Sequence, residues 1–329
     1  MKKSRLAKRI FAAVPLLLMT VLLSACSEKY IVLDPKGPIG QSQKDLIIIT
    51  TLLCAVIIVP VLILAGFIVW RYRDKPGRKD DYKPKWSHDT RLEVTWWAIP
   101  IIIIAILATV TVRYTYALEP SRPIESAEKT VTIQVASLDW KWLFLYPEEG
   151  IATVNYIKFP DNVPVRFELT SDAPMNSFWI PQLGGQIYTM SGMAMTLHLQ
   201  ADQTGKYFGS SANFSGKDFA QMRFVAEAST KDEFDAWVKE VKATGNALTT
   251  DGYEQLQKPS VEEQQQFSSF PEGLFQKIVT KYVPEGSQGH HHGGGAVSSN
   301  EQKQKPVQPE TSEDADSSHN AAQSTHAGH

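Results

Sequence analysis

Thiol and imidazole are scarce where they would matter most. The chain has two cysteines, Cys26 and Cys54, both in its apolar N-terminal part, so no disulfide framework supports the longer remainder of the chain. Of eight histidines, six (His290, His291, His292, His319, His326 and His329) crowd the last 40 residues. His88 sits in a basic stretch between two apolar runs, leaving His198 alone in the long middle region. Copper electron carriers built on a β-sandwich need a Cys thiolate and His imidazoles, with Met as a weak extra ligand. One histidine without cysteine excludes such a site, and the alternation around His198 reads it as a surface residue. Excess positive charge is missing too: the formal net charge is −2. Nucleic acid is thereby disfavoured as a partner, since phosphate binding needs clustered Lys and Arg.

Long apolar runs are abundant, but only at the start. Residues 1–25 read as a lipoprotein signal peptide: Lys2, Lys3, Arg5, Lys8 and Arg9 precede an apolar stretch from Ile10 to Leu23. It ends in Leu23-Ser24-Ala25-Cys26, where small residues admit a peptidase and Cys26 takes the lipid. An external segment (26–44) follows. Leu46 to Trp70 is 25 residues without a charge and Val94 to Val112 is 19. A bilayer core of about 30 Å needs about 20 apolar helical residues, so 45–70 and 92–117 are expected as two transmembrane helices. Pro60 and Pro100 inside them are tolerated in lipid, where neighbours satisfy the freed carbonyls. The connecting loop 71–91 carries Arg71, Arg73, Lys75, Arg78, Lys79, Lys83, Lys85 and Arg91, against three lysines in the segment before the first span. By the positive-inside rule the loop is cytoplasmic and both flanks lie outside.

From Lys129 the apolar period changes to two. Val131, Ile133 and Val135 alternate with Thr132 and Gln134, and Val163, Val165, Phe167 and Leu169 do the same. Similar runs surround His198 and Arg223. Broken by turns such as Phe159-Pro160-Asp161-Asn162, they predict a small antiparallel sandwich or barrel over 125–228. A helical extension is expected over 229–285. Thr230-Lys231-Asp232-Glu233 is a capping box ahead of the apolar face Phe234, Trp237, Val238 and Val241, and Ser260-Val261-Glu262-Glu263 is read as a second box. Residues 286–329 have almost no large apolar residues and are expected to be a disordered, His-rich tail.

Three ordered motifs carry a resemblance. Leu92-Glu93-Val94-Thr95-Trp96 with Ile99-Pro100, then Asp139-Trp140-Lys141-Trp142, then Ser177-Phe178-Trp179-Ile180-Pro181-Gln182-Leu183-Gly184 resemble subunit II of the haem-copper terminal oxidases. The likeness runs from about residue 26 to 283 and implies a two-helix transmembrane hairpin plus an external all-β cupredoxin-like barrel. In the cytochrome c oxidases of that family the barrel holds two coppers bridged by two thiolates. Here the corresponding loop runs from Ser211 to Met222. Asn176 stands at the first histidine position, Ser211 and Ser215 at the cysteines, Asn213 at the glutamate and Phe219 at the second histidine; Met222 alone persists.

That departure resembles the quinol oxidase branch, the aa3-type menaquinol and bo3-type ubiquinol enzymes. A lipid-soluble quinol reaches the haem subunit sideways from the bilayer and needs no external copper port. The resemblance implies no metal or cofactor on this chain, with haems and copper in subunit I and quinol, not cytochrome c, as donor. Its partners would be subunit I, subunits III and IV, and membrane lipid, in a bacterial cell membrane with the β-domain outside. It places Glu93 at the cytoplasmic mouth of a proton channel of subunit I, where a carboxylate at a membrane boundary is costly enough to need a purpose. Trp140 matches a tryptophan that takes electrons from copper and, without copper, would pack against subunit I. The competing reading is a lipoprotein binding or assembly module on the same barrel.

Overall fold

A computed structural model describes residues 30–73 and 87–283 of the chain. Cys26 and the signal peptide, most of the basic loop and the 286–329 tail therefore lie outside the described residues.

Two long helices come first: α1 (Pro38–Tyr72) and α2 (Thr90–Ala117). Pro38 occupies the first turn of α1, where its missing N–H costs nothing. Asp89 caps α2, its side chain accepting from the backbone N–H groups of Arg91 and Leu92. Pro60 and Pro100 lie inside these helices without ending them. Within the fold their most apolar stretches are wholly unburied, as lipid-facing helices are.

The outer end of α1 is bolted to the β-domain. Lys36 N donates to Gln182 O at 2.8 Å, Gly40 N to Leu183 O at 2.9 Å, and Asp202 N to Lys36 O at 2.8 Å. A Cβ on Gly37 would fall 2.0 Å from Gln200 O and one on Gly40 2.7 Å from Gln182 O, so only glycine lets the backbones meet. The Trp179–Gly184 motif is thus the seat of the first membrane helix. Trp179 Nε1 closes it with a 3.2 Å bond to Gly184 O.

Twelve strands follow among the described residues: β1 (Val131–Leu138), β2 (Lys141–Tyr146), β3 (Ile151–Val154), β4 (Tyr156–Pro160), β5 (Val165–Ser171), β6 (Asn176–Trp179), β7 (Ile187–Thr189), β8 (Met195–Leu199), β9 (Gly205–Ser211), β10 (Arg223–Ser229), β11 (Asn246–Ala247) and β12 (Gln265–Ser269). One sheet has the order β11-β12-β3-β2-β1-β5-β8 and faces a second, β4-β10-β9-β6-β7. The sandwich is mixed rather than purely antiparallel: β1 pairs β5 and β10 pairs β4 in parallel. Side-chain alternation reports which face is buried, not strand direction, and a chain that crosses between sheets brings parallel neighbours together.

An aromatic cluster fills the space between the sheets. Phe178 stacks on Phe224 at 5.1 Å and meets Trp142 edge-on at 5.5 Å, with Phe144 and Phe167 against the same pair. All of β2 is buried. Trp142, Phe144 and Tyr146 point between the sheets, while Leu143 and Leu145 point outward into a second core. That second core is supplied by α4 (Thr250–Leu256) and α5 (Leu274–Thr280). A longer helix, α3 (Lys231–Thr244), begins at the expected capping box and lays Phe234, Trp237, Val238 and Val241 on the main core.

Two expectations need correction. Residues 260–263 form no helix. Asn155 Nδ2 holds Glu262 O at 2.7 Å and Lys141 Nζ holds Lys258 O at 2.7 Å, so the segment runs extended into β12. The extension beyond 229 consequently adds strands as well as helices to the large sheet. His198 is also not a surface residue; it is 8% exposed. Strand β8 is an edge, and the chain leaving α2 covers it: His198 N donates to Pro120 O at 3.0 Å, with Nδ1 3.4 Å from the same oxygen. A covered edge is protected from pairing with other chains. Burial pushes the imidazole below its usual pKa.

Two buried charges fasten the extension. Lys141, fully buried, donates from Nζ to Leu256 O (2.9 Å) and Lys258 O, capping the end of α4; burial lowers its pKa. The Asp172 carboxylate accepts from Tyr253 Oη (2.6 Å), Gln257 Nε2 (2.8 Å), Lys281 Nζ (2.7 Å) and Tyr282 Oη (2.7 Å). Removing one partner of a buried charged pair costs about 3–5 kcal/mol, less where the other partner rehydrates. Lys281 and Tyr282 are open enough to rehydrate. Asp172→Ala is therefore expected to destabilise the extension by about 2–3 kcal/mol. Limited proteolysis checks this: cleavage should begin between residues 245 and 283 in the variant before the sandwich is cut.

Candidate functional site

The loop joining β9 to β10 meets the start of β6 and the turn after β1. Asn176, 1% exposed, is the hub. Its Nδ2 donates to Ser215 Oγ (3.1 Å) and to Met222 Sδ (3.0 Å). Its Oδ1 accepts from Ser177 N (2.9 Å) and from the Ser211 hydroxyl. Ser211 N donates to Met222 O at 3.0 Å, closing the loop at its base. Four of the expected ligand positions therefore converge: Asn176, Ser211, Ser215 and Met222.

Asn213 and Phe219 turn away from the cluster. Asn213 Nδ2 donates to Met175 O (3.1 Å), and Phe219 meets Phe214 edge-to-face at 5.7 Å on the outer side of the loop. Phe214 is 76% exposed. Trp140 adjoins the cluster from the β1–β2 turn. Its φ of 63° is rare for a bulky residue, and its Nε1 donates to Ser215 O at 3.2 Å, which fixes it there. Gly216, at φ 113°, lies against the indole face.

The chemistry of this donor set is that of a hydrogen-bonded core. An amide, two hydroxyls and a thioether carry no charge to offset a copper ion, and the amide of Asn176 is engaged on both sides. Copper held by soft donors needs thiolate or imidazole. Among the described residues no group of three or more His, Cys, Asp or Glu comes together in a metal-binding arrangement. The dinuclear copper centre of the cytochrome c oxidases does not fit the residues present.

Glu93 stands apart, in the first turn of α2, at the end of the span remote from the β-domain. Its carboxylate is paired with His88 Nδ1 and is about a third exposed (34%).

Residues 149–229 match the family profile described as the periplasmic domain of cytochrome c oxidase subunit II, and residues 242–286 match the aromatic-rich motif of the same oxidases. The chain is 48% identical over 275 residues to cytochrome bo(3) ubiquinol oxidase subunit 2 of Pseudomonas putida, a match covering 83% of this chain and 86% of that one. The chain belongs to the quinol oxidase subunit 2 family. Other members stand equally near: quinol oxidase subunit 2 of Bacillus anthracis is 47% identical (79% of this chain, 89% of that one). Ubiquinol oxidase subunit 2 of Acetobacter aceti is 42% identical (80% and 85%). Membership makes the chain a subunit of a quinol oxidase, an oxidoreductase complex, with two membrane helices and an external cupredoxin-like domain. The aromatic-rich motif spans Tyr253, Phe267, Phe270, Phe275 and Tyr282. It is the extension that Lys141 and Asp172 hold down.

Sequence reasoning missed three of these residues. Lys141 had a local signal, a positive charge directly between two tryptophans at the head of an apolar run. Asp172 had none, since its donors come from 81 to 110 positions later. His88 was read only as part of a basic loop.

Asn176→Ala removes the hub and leaves Ser211, Ser215 and Met222 without their shared partner. A loss of about 2 kcal/mol is expected, with the outer domain melting about 4–8 °C lower. Differential scanning calorimetry of the purified chain checks it, and the change should need no added metal to appear.

Proposed function

We propose that the chain is the copper-free, non-catalytic subunit II of a respiratory, proton-pumping quinol:oxygen oxidoreductase. In this reading quinol is the donor to haems and copper carried by subunit I, and cytochrome c is not used. The observation that carries it is the Asn176 cluster, where neutral side chains at the positions expected of ligands satisfy one another. A port for a water-soluble donor would be built differently. The names of its relatives, ubiquinol and quinol oxidases, support the same donor.

Three residues have distinct duties. Cys26 takes the lipid that anchors the mature N-terminus to the outer face of a bacterial cell membrane. Trp140, half-buried and locked to the loop by Ser215, presents its indole to subunit I and helps seat the β-domain on it. Glu93 collects protons at the cytoplasmic mouth of a channel that continues into subunit I. Its place in the first turn of α2 suits a carboxylate, because the helix dipole favours negative charge there while the aqueous boundary keeps it in contact with water. Subunits III and IV complete the assembly.

The purified complex should show haem absorption and oxidise quinol, with no turnover on reduced cytochrome c. Glu93→Gln should slow quinol oxidation several-fold while haem content stays normal; unchanged turnover would remove Glu93 from the proton path. A chain that purified without haem would sink the whole reading in favour of a binding or assembly module.

A further inference from the structure

The first turn of α2 contains an unusual exchange. Where a chain enters a helix, the residue before the N-cap and the fourth residue of the helix face each other, and this pair is commonly apolar, a hydrophobic staple. With Asp89 as N-cap, those two positions are His88 and Glu93. Here the pair is an imidazole against a carboxylate, with His88 Nδ1 on Glu93 Oε1. Asp89 takes over the capping of Arg91 N and Leu92 N, so Glu93 is not consumed by the helix terminus.

The partners also settle which ring nitrogen does what. Nδ1 against a carboxylate oxygen must carry the hydrogen, which leaves Nε2 as an acceptor. The Thr90 hydroxyl lies 3.3 Å from that Nε2 and is free to donate to it. His88 is 65% exposed while Glu93 is 34% exposed, so the imidazole is the more open of the two to water. Among the described residues, the other charged groups at the start of α2 are Asp89 and Arg91, and Arg71 and Arg73 stand where α1 ends.

We infer that His88 positions the Glu93 carboxylate and hands it protons from the cytoplasm. The inference rests on the reading of Glu93 as the proton collector. In the step, Nε2 takes a proton from hydronium in the bulk, leaving water, and the Nδ1 proton then passes to Glu93 Oε1. One proton has moved inward, the ring is again neutral, and exchange with bulk water returns it to the starting tautomer. Histidine suits the task because its ring has two nitrogens, one able to accept a proton while the other releases one.

The test is steady-state quinol oxidation by the complete complex across pH 6 to 9 in wild type, His88→Ala, His88→Gln, Glu93→Gln and the double variant His88→Ala/Glu93→Gln. Haem content and the amount of this chain in each preparation certify assembly. The expected result is a several-fold loss in His88→Ala that grows with rising pH and is restored by added imidazole. The double variant should be no slower than Glu93→Gln alone. Glutamine at position 88 keeps a donor but has no second ring nitrogen through which a proton could pass, so it should remain slow. Full activity in His88→Ala or His88→Gln, with Glu93→Gln slowed, overturns the relay and leaves the Glu93 reading standing. Unchanged turnover in Glu93→Gln overturns both. Losses that add in the double variant also overturn the relay.

Discussion

The outer domain depends on one strand being buried on both faces. In β2, Trp142, Phe144 and Tyr146 require a second sheet on one side, while Leu143 and Leu145 require cover on the other. A single sandwich hides only one face of each sheet. The aromatic-rich extension is the answer to the other face, and it must be held in register, which explains two buried charges in an otherwise apolar setting. Lys141 closes the end of α4, and the Asp172 carboxylate gathers donors from α4 and from Lys281 and Tyr282 just after α5. Burying an ion is costly unless it is hydrogen-bonded; Lys141 Nζ has two carbonyl acceptors and the Asp172 carboxylate four donors. The position of the turn after β1, and so of Trp140, follows from this clamped strand.

The same economy appears at the loop between β9 and β10. In a copper-binding barrel the metal would draw β6 and this loop together. Asn176 does so with one side chain, donating to Ser215 and Met222 and accepting from Ser211 and Ser177. An amide is suited to the position because it offers donors and an acceptor from one planar group. Met222 serves as a buried thioether acceptor. The loop therefore keeps its shape by hydrogen bonding, consistent with the proposed entry of electrons from the bilayer instead of through this domain. At the other end of β6, Gly37, Gly40 and Gly184 let the first membrane helix seat directly on the domain.

Much of this was legible from local pattern. Two runs long enough to cross a bilayer gave the hairpin, and strands β1, β5, β8 and β10 declared themselves by the apolar alternation in their sequences. Strand β2 did not, because a strand covered on both sides has no polar alternation to read. The direction of pairing was equally invisible, and the sandwich proved mixed. Ser260-Val261-Glu262-Glu263 has the letters of a capping box, but no apolar helical face follows it, and Asn155 and Lys141 hold its backbone extended. His198 was misread because its cover comes from Pro120, on a linker far away in sequence. At the site, four of the positions that the resemblance pointed to (Asn176, Ser211, Ser215 and Met222) come together in the structure. What no local pattern conveyed is that Asn176, Ser211, Ser215 and Met222 bond to one another while Asn213 and Phe219 face outward.

The central claim is that this domain closes on itself without metal. Electron paramagnetic resonance of the oxidised complex, prepared with copper present throughout expression, addresses it directly. Closure by hydrogen bonds alone predicts no signal from a thiolate-bridged mixed-valence copper pair, and outer-domain stability that is indifferent to copper chelation. Such a signal, lost together with stability when copper is removed, would contradict it.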